Sequence, residues 1–437
     1  MKMKAKAYII IILGSLLLNS CSLLDVEPAM SITEETAVST KADVSKALNG
    51  CYDALQLTGY YGRDLVAIGD LTADNLDATG TIADFRAIDL FNHKADNSIV
   101  LNLWAAMYDG VNRVNNVLYR IDGVQDMTAD EIAAVKAELR FLRALHYFNL
   151  VRLFGDVPYR ELPTLNAGEA LHVARTSKEV VYDLILQDLD FALNNIPDNP
   201  NFRANIWSTK ALLAKVYLTI QEYDLAYTMA NDVIENGPFI LSPNFDDLFA
   251  QEDDSEIIFR IAFNEQDWTR LAQYFAPSIL GGRKEFWPTD ELVNLFSAND
   301  VRLASSVGTD GQGFKFRDIA TGTDNVIVFR LADMILTRAE ALANTPGSNE
   351  NDIRSDINAI RNRASLVNYS GSDFLSEIQI QRRLEFAFEG HRWFDLVRTE
   401  TATSVLGISQ NYTLFPIPKA EITNNNAINE TDQNPGY

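Results

Sequence analysis

Apolar residues recur three and four positions apart along most of this chain, and that spacing commits it to packed α-helices. Residues 41–57 place Val44, Ala47, Leu48, Cys51 and Leu55 on one face. Residues 99–121 do the same with Leu103, Met107, Val111, Val114 and Leu118, and residues 129–153 with Ile132, Val135, Leu139, Leu142, Leu145 and Phe148. Gly155 and Pro158 stop the third helix. Thr176 then offers an N-cap, with Glu179 completing a capping box, and predicts a helix that runs to about Asn195 and ends before Pro197.

Residues 205–236 carry the most specific repeat signal. Leu213, Ala214, Tyr217, Tyr223, Ala226 and Pro238 fall at the spacings of a tetratricopeptide helix pair. Ala214 and Ala226 let two helices approach, Tyr217 and Tyr223 fill the groove, and Gln221 holds a turn position where Gly is commoner. Ala144 and Tyr147 repeat the Ala214/Tyr217 offset, so helix pairs recur and stack, each burying its apolar face on the next. The stretch from 239 to 328 differs: Ile257-Ile258-Phe259-Arg260-Ile261 reads as a short strand, and Gly281-Gly282, Gly308, Gly311, Gly313 and Gly322 mark irregular loops. Helices return at 329–344, 352–366 and 373–389, and a short one follows Gly390 from His391 to Arg398. The expected fold is mainly α: tetratricopeptide-like pairs in an α-α superhelix, with irregular loops and a few short strands.

At 47% hydrophobic and 22% charged residues, 437 residues are ample for a packed globular core. Acids outnumber bases by 60 to 37, and the formal charge of −23 repels nucleic-acid phosphates, so nucleic acid is not an expected partner. An acidic surface with 16 Tyr suits neutral polar ligands better than anions.

The N-terminus sets the compartment. Lys2, Lys4 and Lys6 precede an apolar run from Ala7 to Leu18, too short to span a bilayer comfortably. Leu18-Asn19-Ser20-Cys21 is the pattern of a lipoprotein signal: residues 1–20 are a signal peptide, Cys21 takes the lipid, and residues 21–38 form a tether. Lipidation of Cys21 leaves Cys51 as a lone, small buried residue and the mature chain without a disulfide.

Several segments, in order, resemble the RagB/SusD family of surface nutrient-binding lipoproteins of Bacteroidetes-type bacteria. They are Ala137-Glu138-Leu139-Arg140-Phe141-Leu142-Arg143-Ala144-Leu145-His146-Tyr147-Phe148 with Phe154-Gly155-Asp156-Val157-Pro158; Phe329-Arg330-Leu331-Ala332-Asp333-Met334 with Arg338-Ala339-Glu340-Ala341; Ile357-Asn358-Ala359-Ile360-Arg361-Asn362-Arg363-Ala364; and, most characteristic, Glu385-Phe386-Ala387-Phe388-Glu389-Gly390-His391-Arg392-Trp393-Phe394-Asp395-Leu396-Val397-Arg398. Pro416-Ile417-Pro418 and Gln433-Asn434-Pro435-Gly436-Tyr437 close the series. The resemblance divides the chain into a helical region with tetratricopeptide-like repeats over 39–238 and a RagB/SusD C-terminal region over 239–437. It implies an outer-membrane, lipid-anchored protein facing the extracellular side. It also implies a partner, a SusC-like TonB-dependent outer-membrane barrel, over which the lipoprotein sits as a lid and hands in its ligand.

These motifs mostly build. Phe386, Phe388, Trp393 and Phe394 read as corner packing, and Glu385, Glu389, Arg392 and Arg398 as a partly buried ion network. Trp104 and Trp207 read as core. The acidic run Glu252-Asp253-Asp254-Ser255-Glu256 reads as a solvated loop. A sugar site needs aromatic planes for C–H faces and carboxylates, amides or Arg for hydroxyls. Two inter-helix segments qualify. The first holds Tyr60, Tyr61, Arg63, Asp74 and Asn75, with Asp70 and Asp77 beside them; the second holds Asp267, Trp268, Tyr274 and Trp287, with Asn264, Arg270 and Phe286. No Gly-x-Ser-x-Gly elbow, His-Glu-x-x-His or phosphate-cradling loop occurs, and metal-ligand spacing is absent, so the expectation is a non-catalytic oligosaccharide-binding protein without cofactor or metal. The alternatives are peptide cargo on the same architecture, or a surface-anchored glycoside hydrolase.

Overall fold

Every long apolar-periodic segment is a helix in the computed structural model, which describes residues 38–165, 172–197 and 203–437. The signal peptide, Cys21 and the tether up to residue 37 lie outside the described residues. The first region contains α1 (Lys41–Gln56), α2 (Asp64–Leu71), α3 (Ser98–Arg120), α4 (Ala129–Phe154), α5 (Lys178–Asn195), α6 (Ile206–Thr219) and α7 (Tyr223–Asn236). The second contains α8 (Leu331–Asn344), α9 (Glu350–Arg363), α10 (Phe374–Glu385) and α11 (Arg392–Arg398). Neighbours pack in series: α1 on α3, then α3 on α4, α4 on α5, α5 on α6, α6 on α7, α7 on α8 and α8 on α9. The tetratricopeptide pair is α6–α7, with Ala214 and Ala226 buried where the helices approach and Gln221 at the turn with φ 64°. The architecture is thus the expected helix-rich one, and Trp104, Trp393 and Cys51 are core residues. Trp207 is half-buried against that core.

Local details depart from the sequence reading for identifiable reasons. Ser177, not Thr176, caps α5, accepting from the Val180 amide, because Thr176 is held in a short strand. The helix expected to reach residue 389 ends at Glu385. Phe388 and Gly390 then adopt φ of 67° and 79°, and the turn they form presses on α2 backbone to backbone. A Cβ on Gly69 would stand 2.3 Å from the Gly390 carbonyl oxygen, so both glycines are required by the approach.

Among the described residues, strands occur only as pairs: β1 (Leu76–Ala78) with β5 (Phe286–Pro288), β2 (Val157–Pro158) with β3 (Arg175–Thr176), and β4 (Ile257–Ile261) with β6 (Val326–Arg330), all antiparallel. One hydrophobic cluster runs through both regions, from Val44 on α1 to Ile417 near the C-terminus.

The second region is held by buried charge. Arg330 donates to Glu256 (2.8 Å), Glu385 (2.5 Å) and Glu389 (2.9 Å). Arg302 bridges Asp300 and Glu385, Lys315 reaches Glu389 at 2.6 Å, and Arg363 contacts Glu256 and Glu385. Burial alone would raise the Glu385 carboxyl; the guanidiniums of Arg363, Arg330 and Arg302 outweigh it and hold it well below the usual carboxylate range. Glu256 is therefore no part of a solvated acidic loop: it is fully buried and doubly paired. Glu385 and Glu389 are equally consumed, which leaves neither free for acid–base chemistry.

Candidate functional site

The structure joins the two sequence segments proposed for ligand contact. The Arg270 amide and the Thr269 hydroxyl both donate to the Gly62 carbonyl at 3.0 Å. The β1–β5 ladder sets Asp77 opposite Trp287. Arg63 wedges between the segments: its guanidinium donates to the Tyr274 hydroxyl at 2.6 Å and lies 4.6 Å from that ring's centroid and 5.3 Å from that of Phe85. Burial works against the Arg63 charge, but Asp64 and Tyr274 more than restore it, so its pKa is raised. Asp64, with one carboxylate oxygen unpartnered in the interior, is pushed up to about 6 by burial despite the adjacent guanidinium.

The face that results has a rigid frame. β5 turns Phe286 and Pro288 inward and Trp287 outward, as strand alternation requires. Phe286 packs edge-on to Phe85 and tilted on Tyr274. The hairpin before β5 is pinned by the Arg283 amide on Gln273 (2.7 Å), Lys284 on Ala276 (2.9 Å) and Glu285 on Tyr274 (2.8 Å). Gly282 passes so close to Ala276 that a Cβ would fall 2.0 Å from its carbonyl oxygen.

The accessible groups on this frame, here called the ledge, are two aromatic–cation pairs, one on each side of Tyr274 in the chain. Trp268 and Trp287 are each half-buried. The Arg270 guanidinium sits 3.2 Å from the Trp268 centroid and the Lys284 ammonium 3.9 Å from that of Trp287. Asp77, Asn264, Asp267 and Arg283 are exposed beside them. Arg283 also pairs with Glu285 and lies 5.0 Å from the Tyr274 centroid.

Five predicted contact residues serve the interior instead. Tyr60 and Tyr61 are buried and both hydroxyls accept from Asn149, at 2.7 and 3.0 Å, while burial pushes both phenols up. Asn75 is fully buried, donating to Asp70 at 2.6 Å and accepting from Arg383 at 3.0 Å. Asp74 is clasped by both arms of Arg392, at 2.7 and 2.9 Å, and by Arg383; burial would raise its carboxyl, but these cations hold it low. Tyr274 is buried and acts as the floor under Arg63. Trp268, Trp287, Asp267 and the edge of Arg63 remain accessible. Lys284 and Arg283 escaped sequence reasoning; their signal was a basic pair directly ahead of the strand that carries Trp287.

A cleft of about 610 Å³ lies elsewhere, where the end of α4 meets the start of α5, the α6–α7 turn and α11. Arg152, Tyr182 and Phe394 line it, and it contains none of the predicted contact residues. The Arg152 guanidinium there is already sandwiched between Phe148 and Phe394, 3.9 Å from each ring.

Comparison with known proteins matches both regions. A family model described as the SusD family covers residues 251–412, and one described as starch-binding, associating with outer membrane, covers residues 22–218. A SusD-like protein of Formosa agariphila is 28% identical, over 99% of this chain and 100% of its own. The starch-binding protein SusD of Bacteroides thetaiotaomicron is 25% identical, over 72% of this chain and 75% of its own. Among solved structures, a SusD superfamily protein from Bacteroides vulgatus superposes with a TM-score of 0.81 at 23% identity, covering 91% of this chain and 99% of that one. A laminarin-binding SusD-like protein gives 0.80 at 25% identity, covering 91% and 100%.

Proposed function

Since the chain belongs to the SusD/RagB family, we propose that it captures oligosaccharide at the outer membrane on the Trp268–Trp287 ledge, without cleaving it. The observation that carries this reading is the ledge itself: two outward indoles on a frame too tightly hydrogen-bonded to collapse, rimmed by exposed Asp77, Asn264 and Asp267. An indole takes the C–H face of a sugar on the side that its cation leaves open, and the rim takes the hydroxyls. The laminarin-binding relative supports a saccharide over a peptide as cargo.

The lipid on Cys21 would hold the protein to the membrane, and a SusC-like TonB-dependent barrel would receive the ligand, with this chain as its lid. The expected result of cross-linking the lid shut is that uptake stops while the complex stays intact. The ledge itself is tested by calorimetric titration of a soluble chain starting at Ser22, which retains every described residue, against oligosaccharides and peptides, with product analysis. Saturable binding without cleavage, weakened at least tenfold by Trp268→Ala or Trp287→Ala at unchanged helix content, is the expected result. Cleaved product would refute the non-catalytic reading, and binding to peptides alone would replace the cargo.

A further inference from the structure

The pairing of charge on the ledge departs from that of the rest of the molecule. The chain as a whole carries −23. Yet Arg63 and Arg283 lie against the Tyr274 ring, Arg270 over Trp268 and Lys284 over Trp287. Two of the four are neutralised, Arg63 by Asp64 and Arg283 by Glu285. Arg270 and Lys284 are not: among the described residues neither has a carboxylate within ion-pair distance. Arg270 has only a 3.5 Å contact to Gln273 besides the Trp268 ring. Its guanidinium pKa is lowered mainly by burial; Tyr274 opposes that shift, and the like charges of Arg63 and Arg283 add to it.

Like charges repel, and an acidic protein has carboxylates to spare for pairing them. Here instead each free cation is parked on the face of an outward indole, where it stays displayed and oriented. The exposed acids nearby, Asp77 opposite Trp287 and Asp267 next to Trp268 in the chain, form no ion pair with either cation.

We propose that the ledge selects anionic saccharides, those bearing uronate or sulfate-ester groups, with Arg270 and Lys284 as the residues that read the charge. This rests on the saccharide-capture reading above and narrows its substrate class. A carboxylate or sulfate takes the outward N–H groups of the guanidinium and the ammonium, while the adjoining ring of the same sugar packs on the indole. On this proposal, the expectation from overall composition that an acidic surface prefers neutral ligands does not extend to this one face.

The test uses the soluble chain from Ser22 and matched probes: laminarin oligosaccharides, the same oligosaccharides chemically sulfated, and oligogalacturonate. The expected result is that at least one anionic probe binds about tenfold or more tightly than the neutral one at low salt. That advantage shrinks severalfold as salt rises from roughly 0.05 to 0.5 M. Arg270→Gln and Lys284→Gln each lower the affinity for the anionic probe about tenfold more than they lower it for the neutral one. Which anionic probe binds distinguishes sulfate from carboxylate recognition. Neutral binding equal to or tighter than anionic binding overturns this proposal and leaves saccharide capture standing. Anionic binding that ignores both substitutions overturns the assignment of the charge readers. Silence towards all three probes overturns both readings.

Discussion

Replacing Arg330 by Met is the sharpest test of how the second region is held. Arg330 is fully buried and makes five hydrogen bonds, three through Glu385 and Glu389 side chains, one to Glu256 and one to the Glu385 carbonyl. Around it, the cations Arg302, Lys315 and Arg363 face the anions Asp300, Glu256, Glu385 and Glu389, so with Arg330 present the charges balance. Its loss leaves one buried negative charge in excess, although every carboxylate keeps one cationic partner. Breaking a buried pair in this way costs about 3–5 kcal/mol. With an unfolding entropy of about 2.1 cal/mol/K per residue, a chain of this size loses roughly 3–5 °C in Tm. The substitution that removes the excess charge, Glu389→Gln, should itself destabilise the native protein, because it strips partners from Arg330 and Lys315. Placed on the Arg330→Met background it restores the balance, so the double variant is more stable than the sum of the two losses by about 1–2 kcal/mol. Thermal unfolding by circular dichroism of the wild type, both single variants and the double variant closes the cycle. Additive losses, or a shift below 1 °C for Arg330→Met, would show that the network contributes packing and not charge balance.

Acid should unfold this protein through the same groups. Glu385, Glu389, Asp333 and Asp395 all titrate below their ordinary values in the folded state: burial opposes the charge in each, but Arg363 and Arg330 at Glu385, Arg330 and Lys315 at Glu389, Lys215 and Arg382 at Asp333, and Arg382 and Arg398 at Asp395 overcome it. The stability they confer is therefore complete above about pH 4.5, where the unfolded carboxyls ionise, and drains away as pH falls through the lower folded values. A Tm that holds level from pH 7 to 5 and drops steeply below 4, less steeply in Arg330→Met, is the expected profile. Tyr60→Phe and Tyr61→Phe each remove one hydrogen bond from Asn149 and should cost about 0.5–1.5 kcal/mol in denaturant unfolding. Neither changes ligand affinity beyond twofold by calorimetry, since neither side chain reaches the ledge.

The helices were legible because each carries its own signal. The 3–4 spacing of Leu103, Met107 and Val111, or of Leu139, Leu142 and Leu145, is a statement about one face, and packing then obeys it. The strand at Ile257–Ile261 was legible for the same reason. Burial of polar groups was not legible, because it is decided by partners far along the chain. Tyr60 looks like a surface aromatic until Asn149, 89 residues on, meets its hydroxyl. Asp74 and Asn75 look like a hydroxyl-binding pair until Arg383 and Arg392, more than 300 residues on, close over them. Glu256 shared that fate through Arg330 and Arg363. The two outward tryptophans were legible because Gly-flanked, polar segments rarely bury an indole; the cations laid on them were not, since sequence gives no distance between Arg270, Lys284 and the indoles.

The wedge of Arg63 on Tyr274 and the lock of Thr289 on Asp74 join residues 211 and 215 positions apart. A chain synthesised N-terminus first thus lacks the Arg63–Tyr274 wedge until residue 274 has emerged, however early α1 to α7 pack. On the proposed reading, a fragment ending at α7 carries neither indole of the ledge, and one beginning after α7 lacks Arg63 and Asp77. Exchange of genetic segments at the end of α7 would separate Arg63 and Asp77 from Arg270, Lys284 and both outward indoles. New ligand preferences in proteins built this way are therefore expected to arise by paired point changes on the two sides of the ladder, and not by shuffling whole regions.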